Sequence, residues 1–434
     1  MFRKLYFVLS FLVAVSFLLT ACGGGATPTV EQATTEPAAV QQPTQAATEA
    51  TAQPAVKEIT ITIWHQWDGK YLEAIQKAFD NYSASHPGVK IDLSKPEDVN
   101  SALKVAIPAD EGPDIIGWAN DQIGQSALAG NIVALDDYGI TMEFLQSTYE
   151  PAAVNGVVWK GKIWGLPESQ EGIALIYNKD LLTDEFMPKA GDLNDLLAKA
   201  QAFHAANPDK YLVCNQGFGG SDAYHVAPVY FGFGVPQYID DNGTVYLNTP
   251  EAIKAGEWLV EFAKVSPAEQ TYEICKASLK EGKVAMWWTG PWAIAGIEED
   301  KVNYGILPMG KPFVGIKTLM LTQNAVDRGQ AEVALDIMKY FTSAEVQKEL
   351  ALVNKTIPAA SAALQDPAVA ALPTLAGFGA ALNAGVPMAN SPYASAQWQP
   401  VGDATVAIWT GAQTPADALA AAQKAAEEAV AQMK

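Results

Sequence analysis

The chain has 434 residues, of which 49% are hydrophobic and 18% are charged, and its net charge is −20 at pH 7. A globular body of this length exceeds one ordinary domain, so we expect two lobes. The acidic balance argues against nucleic acid as a partner, because nucleic-acid binding needs a cationic surface.

The N-terminus has the pattern of a secretory signal. Arg3 and Lys4 precede an apolar run that ends in Leu19-Thr20-Ala21-Cys22. The order is typical of a signal peptide, and it resembles the bacterial lipoprotein type, in which the cysteine is lipidated and becomes the first mature residue. We therefore expect residues 1–21 to be removed and Cys22 to carry the lipid. The alternatives are an ordinary signal peptide with an incidental cysteine and an uncleaved membrane anchor.

A polar segment follows the signal. Residues 23–56 are dominated by Gly, Ala, Thr, Pro, Gln and Glu and contain no aromatic residue. Such a run buries too little apolar surface to offset the entropy of ordering it. We expect residues 22–56 to form a disordered linker between the lipid and a folded body, with a packed arm as the alternative. No later stretch approaches 18 uninterrupted apolar residues, so no further transmembrane helix is expected.

The body opens with alternating strands and helices. Strict alternation from Ile59 to Trp64 predicts a strand, and helical spacing from Tyr71 to Ser85 predicts a helix that ends before His86-Pro87-Gly88. A strand at 89–93, a helix at 98–106 and a buried strand at 113–118 follow. This alternation favours a mostly parallel sheet that is covered on both faces.

The alternation restarts after residue 170. The later predicted elements are strands at 173–178 and 284–288 and helices at 191–205, 252–264, 331–342, 343–353 and 415–433. In α/β sheets, ligands bind beyond the carboxyl ends of strands. Polar and aromatic side chains cluster after the first and third strands, namely His65, Trp67 and Asp68, and Trp118 and Asp121. We expect both clusters to face one rim.

The sequence provides no motif for metal or covalent chemistry. The four histidines have no metal-ligand spacing among themselves or with cysteine, so no zinc site is expected. Common nucleophile, zinc-protease and phosphate-loop motifs are absent from the sequence, and we assign no catalytic residue and no cofactor. Cys214 and Cys275 could form a disulfide outside the cytoplasm or remain two buried thiols, and the sequence alone leaves both open.

Five segments, in order, resemble the extracytoplasmic solute-binding proteins of ABC importers, most closely the maltose/maltodextrin-binding type. They are residues 110–121, 175–182, 290–293, 301–305 and 311–315. The resemblance implies an α/β, two-lobe periplasmic-binding-protein (Venus flytrap) fold of type II, with the ligand cleft between the lobes and three hinge crossings. Lobe one would comprise 57–168 plus 316–365, and lobe two 171–312 plus 368–434.

The resemblance also implies which residues bind ligand. A sugar presents apolar faces and a rim of hydroxyl groups, so its site needs aromatic platforms with polar acceptors. Trp118, Trp292 and Trp398 match the platform positions, and Asp68, Asp121 and Glu171 match the carboxylates. Tyr224 matches a stacking aromatic and Asp222 lies beside it. Trp67 and His65 lie outside the family pattern, and Trp67 could add a platform. The alternatives are core tryptophans and solvated carboxylates.

As a whole, the resemblance implies the substrate-binding component of an ABC sugar importer, not an enzyme. It would bind a maltodextrin-like oligosaccharide by hinge closure, as a lipid-anchored monomer on the outer face of the membrane or in the periplasm. It would deliver the sugar to a permease that is driven by a cytoplasmic ATPase. Gln122 and Gln399-Pro400 replace residues that those binders use, so the carbohydrate class is better supported than the individual sugar. Another disaccharide, a polyol, glycerol-phosphate or a secreted glycoside hydrolase are the alternatives.

Overall fold

The computed structural model describes residues 58–433. The predicted signal peptide, Cys22 and the linker 22–56 therefore lie outside the described residues. The described residues belong to one compact unit. Within the described part of the chain, no helix is both long and apolar enough to cross a membrane.

Three sheets organise the described residues. The strands are β1 (Ile59–His65), β2 (Val89–Ser94), β3 (Ile115–Ala119), β4 (Val158–Trp159), β5 (Lys162–Ile163), β6 (Leu166–Glu171), β7 (Ala174–Asn178), β8 (Tyr211–Cys214), β9 (Val284–Thr289), β10 (Tyr304–Leu307), β11 (Phe313–Leu321), β12 (Ile357–Pro358) and β13 (Val386–Pro387). The first sheet has seven strands in the order β12-β6-β11-β3-β1-β2, with β13 beside β11. The second has the order β10-β7-β9-β8, and β4 and β5 form a hairpin.

Helices surround the two larger sheets. They are α1 (Gly69–Ser85), α2 (Val99–Ala106), α3 (Ile123–Leu128), α4 (Met142–Thr148), α5 (Pro151–Val157), α6 (Leu193–Ala206), α7 (Ala223–Gly232), α8 (Pro250–Ala263), α9 (Tyr272–Glu281), α10 (Ile294–Glu299), α11 (Gln323–Asp327), α12 (Ala331–Phe341), α13 (Ala344–Asn354), α14 (Ser361–Leu364), α15 (Pro367–Ala370), α16 (Pro373–Asn383), α17 (Trp398–Trp409) and α18 (Pro415–Gln432). Short 3-10 helices include Asn120–Gln122, Pro291–Ala293 and Pro392–Gln397.

The strands and helices predicted from periodicity are present within a few residues of their expected bounds. In β1, Ile61 and Ile63 are fully buried, as the alternation requires. Asp68 caps α1, and the helix buries Tyr71, Ile75 and Phe79 along one face. The α/β fold class is confirmed.

The sheets are mixed, so the predicted parallel arrangement holds for β1, β2 and β3 but not for either sheet as a whole. Strand β1 runs parallel to β2 and β3, but β11 runs antiparallel to both β3 and β6. In the second sheet, β7 is antiparallel to β9 and β10. The reason is connectivity: β6 and β11 link the two sheets and do not follow a strand–helix–strand crossover within one sheet.

The buried side chains separate into cores that β6 and β11 connect. One core contains residues from 61–166 and 316–363. Two adjoining clusters draw mainly on 173–309 and 378–430. Phe313 belongs to one side and Ile316 to the other, so β11 passes between the cores. The exact lobe boundaries stay a prediction.

A disulfide ties α9 to the end of β8. Cys214 and Cys275 are bonded, and their Cα atoms are 5.5 Å apart. Both cysteines are fully buried. Of the two states that the sequence left open, the structure has the disulfide.

Candidate functional site

A cleft of about 590 Å³ lies between the two sheet-based halves. From the half built on β1, β3 and α1 it is lined by Trp67, Asp68, Lys70, Tyr71, Lys95, Trp118, Asp121 and Lys317. From the other half it is lined by Tyr224, Tyr272, Glu273, Lys276, Trp292 and Trp398, and Glu171 and Met388 are also among the lining residues. This volume is in the usual range for a small-molecule site.

Four aromatic side chains present partly exposed faces to this cleft. Trp118, Trp292, Trp398 and Tyr224 are all half-buried. The Tyr224 ring is stacked on Phe313 with centroids 5.9 Å apart, and it lies 6.2 Å from the Trp292 ring. Trp398 meets Phe313 edge-on at 5.7 Å. We call Trp292, Trp398 and Tyr224 the inner aromatic group; Trp398 and Tyr224 contact Phe313, and Trp292 contacts Tyr224.

The turn after β9 explains the position of Trp292. Gly290 ends the strand, and a Cβ atom there would lie 2.2 Å from the Trp292 ring. Only glycine leaves room for the indole to fold back over the chain. Trp292 thereby packs against all three buried clusters while one part of it stays open to the cleft.

Trp398 lies at the start of a helix. The 3-10 helix Pro392–Gln397 leads directly into α17, and Trp398 is its first residue. Pro400 lies in the first turn of α17, a position where proline is tolerated because the backbone N–H groups there have no intrahelical partner. The helix aims the indole N–H at Asp121, with Nε1 3.0 Å from Oδ2.

Asp121 is a buried acceptor at the cleft wall. Its side chain accepts hydrogen bonds from Trp398 Nε1 and, at 3.1 Å, from Gln122 Nε2. Burial raises the pKa of Asp121 to about 7, although these hydrogen bonds act in the opposite direction. Its remaining lone pairs are available to ligand hydroxyl groups.

Glu171 and Lys317 form a buried ion pair in the same cleft. The Lys317 Nζ lies 3.3 Å from Glu171 Oε2, and both side chains are at most 10% exposed. The same ammonium lies over the Tyr71 ring at 4.5 Å and within 5.8 Å of the Trp292 ring centre. A cation held over aromatic faces is stabilised by their quadrupoles. The pair offers a ligand an acceptor and donors side by side.

Glu168 is a second buried carboxylate close to Lys317, and it was not predicted from the sequence. Its carboxylate accepts hydrogen bonds from Tyr71 Oη at 2.8 Å and from Trp67 Nε1 at 3.2 Å. Burial raises the pKa of Glu168 to about 7, while the charge of Lys317 lowers it. Lys317 is the one charged residue of the apolar strand β11, and a buried lysine needs an acidic partner. That is the sequence signal that could have indicated a buried carboxylate such as Glu168.

Trp67 and His65 do not provide an open platform. Trp67 is 1% exposed, and its indole N–H is used by Glu168. His65 is stacked on Trp67 with ring centres 5.1 Å apart, and burial lowers its pKa. Trp67 packs so closely that a Cβ at Gly117 would lie 2.8 Å from its ring. Trp67 lines the cleft as a buried ring that donates a hydrogen bond to Glu168, and the additional platform suggested for it stays a prediction.

The two outer aspartates differ in their placement. Asp68 caps α1 at the cleft mouth, is largely exposed and pairs with Lys95, whose hydrogen bond lowers the pKa of Asp68. Asp222 does not line the cleft. It caps α7 through the N–H groups of Tyr224 and His225 and lies 2.7 Å from His225 Nδ1. In this structure Asp222 therefore helps to fix the start of α7, where Tyr224 lies, and its predicted ligand contact stays a prediction.

Four further cleft residues were not predicted from the sequence. Tyr71 lies two residues into α1, and Tyr272, Glu273 and Lys276 lie on α9. An exposed helix edge of ordinary polar residues looks the same whether or not another domain faces it. Among the described residues, no group of three or more His, Cys, Asp or Glu side chains is arranged to hold a metal ion.

Sequence comparisons identify relatives along most of the chain. A family model described as "Bacterial extracellular solute-binding protein" matches residues 77–377. A maltotriose-binding protein of Pyrococcus abyssi is 30% identical over 352 residues, covering 78% of this chain and 75% of the relative. A galactooligosaccharide-binding protein of Bacillus subtilis is 26% identical over 351 residues, covering 76% and 80%. A maltooligosaccharide ABC transporter solute-binding lipoprotein of Streptococcus pneumoniae is 26% identical over 338 residues, covering 70% and 72%.

Solved structures share the fold. The maltose/maltodextrin-binding domain of Bdellovibrio bacteriovorus bound to maltotriose gives a TM-score of 0.77 at 24% identity, covering 86% of this chain and 100% of that one. The Thermus thermophilus maltotriose-binding protein bound with maltotriose gives a TM-score of 0.75 at 20% identity, covering 85% and 100%. At these identities the likeness establishes the two-lobe architecture.

Proposed function

Because the chain belongs to the family of bacterial extracellular solute-binding proteins, we propose that it is the sugar receptor of an ABC importer and that its solute is a maltooligosaccharide. The names of the relatives from Pyrococcus abyssi and Streptococcus pneumoniae support this choice. The Bacillus subtilis relative, which is named for galactooligosaccharides, makes another oligosaccharide the main alternative.

The observation that carries the proposal is the chemical character of the cleft. The inner aromatic group and Trp118 offer flat faces for the apolar surfaces of sugar rings. Asp121, Glu171 and Lys317 offer acceptors and donors for hydroxyl groups between those faces. A neutral, hydroxyl-rich ligand satisfies both sets at once, which a purely apolar solute does not.

Closure of the two halves is the proposed mechanism. Both halves line the cleft, and β6 and β11 pass between the cores. A sugar held against Trp118 and Asp121 on one side gains further contacts when Trp292 and Tyr224 of the other side approach. The ligand therefore binds the closed state more tightly than the open state and shifts the population toward it.

The N-terminal segment supports an anchored location. Cys22 is the last residue of a lipobox-like sequence. The relative from Streptococcus pneumoniae is named a lipoprotein. We propose that acyl chains on Cys22 hold the protein on the outer face of the membrane, with residues 23–56 as a spacer. The closed, loaded protein would then dock as a monomer on a permease whose energy comes from a cytoplasmic ATPase.

The test is a titration of the purified protein with a panel of sugars. Maltose, maltotriose, trehalose, sucrose, cello-oligosaccharides and xylo-oligosaccharides are added while tryptophan fluorescence and melting temperature are followed. We expect saturable shifts with maltooligosaccharides and none with xylo-oligosaccharides. A response to another sugar class alone would replace the proposed solute, and no response to any sugar would reject the carbohydrate class.

The same samples test the enzymatic alternative. Asp121 is a carboxyl group whose pKa burial raises to about 7, a property that a glycosidase requires of its general acid. We expect the sugars to be recovered unchanged after prolonged incubation. New reducing ends that disappear with Asp121→Asn would show that the protein is a hydrolase.

A further inference from the structure

Helix α9 forms the outer part of the cleft on one side. Tyr272, Glu273 and Lys276 line the cleft from this helix. Tyr272 takes no part in the ring contacts of the inner aromatic group, and it meets Trp287 edge-on at 5.0 Å. The cleft therefore has two aromatic zones, one around Phe313 and one on α9.

The α9 zone has free hydrogen-bonding capacity. Neither Glu273 nor Lys276 makes a side-chain hydrogen bond or an ion pair with another described residue. A carboxylate acceptor, an ammonium donor and the ring of Tyr272 stand within two turns of one helix. This combination suits one further sugar unit beyond those that contact the inner aromatic group.

The packing that holds α9 in place is sparse. Of its ten residues only Cys275 and Leu279 are buried, whereas the fourteen-residue α8 buries six. Cys275 is bonded to Cys214, the last residue of β8, which lies beside Trp287 of β9 in the sheet. One of the two buried side chains of α9 is thus covalently bonded, and at the surface Lys280 of the same helix pairs with Asp300 at 2.6 Å.

We propose that the Cys214–Cys275 disulfide is a positioning element of the binding site, which fixes α9 so that Tyr272, Glu273 and Lys276 are preformed for the distal unit of a longer oligosaccharide. The proposal rests on the proposed sugar-binding function. Its physical basis is entropy: side chains on a mobile helix must be ordered when the ligand binds, and that cost reduces affinity. A covalent anchor removes the cost before the ligand arrives.

The test compares ligand lengths in the intact protein and in the double variant Cys214→Ala/Cys275→Ala. Dissociation constants for maltose, maltotriose and maltotetraose are measured by calorimetry, and amide hydrogen exchange is followed over residues 272–281. We expect the variant to bind maltose nearly as well as the parent protein. Its affinity for the longest of the three ligands, whose distal unit contacts α9, should fall by about tenfold. Amide hydrogen exchange in α9 should become faster.

Two single substitutions make the result specific. Leu279→Ala removes the other buried anchor of α9, so it should give the same length-selective loss, and it replaces the double variant if that protein does not fold. Leu196→Ala removes a fully buried side chain from α6, away from the cleft. It should lower the melting temperature without changing the ratio of affinities between long and short ligands.

The contrary outcomes are distinct. Equal weakening for all three ligands, or no weakening for any, would overturn the positioning role and leave the disulfide as a stabilising bond only. A parent protein that binds none of the three sugars would instead overturn the proposed function, and that result is visible before any variant is made.

Discussion

At the scale of single residues, the cleft concentrates carboxylates around a single buried ammonium. Lys317 is paired with Glu171 and also attracts Glu168, while Asp121 is held by neutral donors from Trp398 and Gln122. One lysine cannot compensate three buried negative charges, so burial raises the pKa of both Asp121 and Glu168. The arrangement keeps acceptors oriented before a ligand arrives.

Trp292 is the residue whose loss should weaken binding most clearly. Trp292→Ala removes a half-buried ring face from the centre of the cleft, and we expect the dissociation constant to rise by more than about tenfold. Because the ring also packs against the cores, melting must be measured beside binding. Trp159→Ala, on the β4–β5 hairpin outside the cleft, is the matched control. Unchanged affinity in a folded Trp292→Ala protein would reject the platform role.

Asp121 should make stability depend on pH in the neutral range. Its pKa is about 7 in the folded protein, whereas an unperturbed Asp has a pKa of about 3.9. Between these values the folded state binds more protons than the unfolded state, so the free energy of unfolding falls as pH rises.

The test is denaturation of the parent protein and of Asp121→Asn at pH 5, 6 and 7. The parent's free energy of unfolding should decline more steeply with pH, by up to about 1.4 kcal/mol per pH unit. Identical slopes for the two proteins would show that the pKa of Asp121 is not raised.

At the scale of elements, the turn between β9 and the 3-10 helix Pro291–Ala293 sets the site. Gly290→Ala would place a methyl group 2.2 Å from the present position of the Trp292 ring, so the ring must move. We expect sugar affinity to fall by about the same factor as in Trp292→Ala. In Gly219→Ala the new methyl group meets its nearest neighbour at 3.6 Å, and binding should be unaffected. Equal affinities for both variants would contradict this account.

Periodicity predicted the regular elements because the core side chains that create it are local in sequence. The alternation in β1 and the apolar face of α1 are examples. Strand direction was not predictable in this way. Whether β11 runs parallel or antiparallel to β3 depends on the path by which the chain returns from the other core.

The candidate site was predictable where its residues lie in recognisable segments. Trp118, Trp292, Trp398, Asp121, Glu171, Asp68 and Tyr224 all line one cleft. Asp222 could not be told from a ligand contact, because a helix cap and a binding carboxylate look alike in sequence. Glu168 and α9 were missed because their positions depend on partners distant along the chain, namely Lys317 and Cys214.

At the scale of the whole molecule, ligand binding should couple to overall stability and shape. A solute that contacts both halves and binds only the folded protein stabilises it by about 2.7 kcal/mol at a concentration of 100 times the dissociation constant. We therefore expect the melting temperature to rise with the logarithm of maltotriose concentration, and the radius of gyration to decrease. A ligand that bound one half alone would leave the radius unchanged, which would argue against closure.

The most direct test of the central claim is a calorimetric titration of the protein with maltotriose. The account predicts a saturable heat with one site per chain, and a micromolar dissociation constant would correspond to about −8 kcal/mol. It also predicts that the heat is abolished or strongly reduced in Trp292→Ala. The absence of saturable heat with maltotriose, in a protein that melts cooperatively, would contradict the claim that this chain is a maltooligosaccharide receptor.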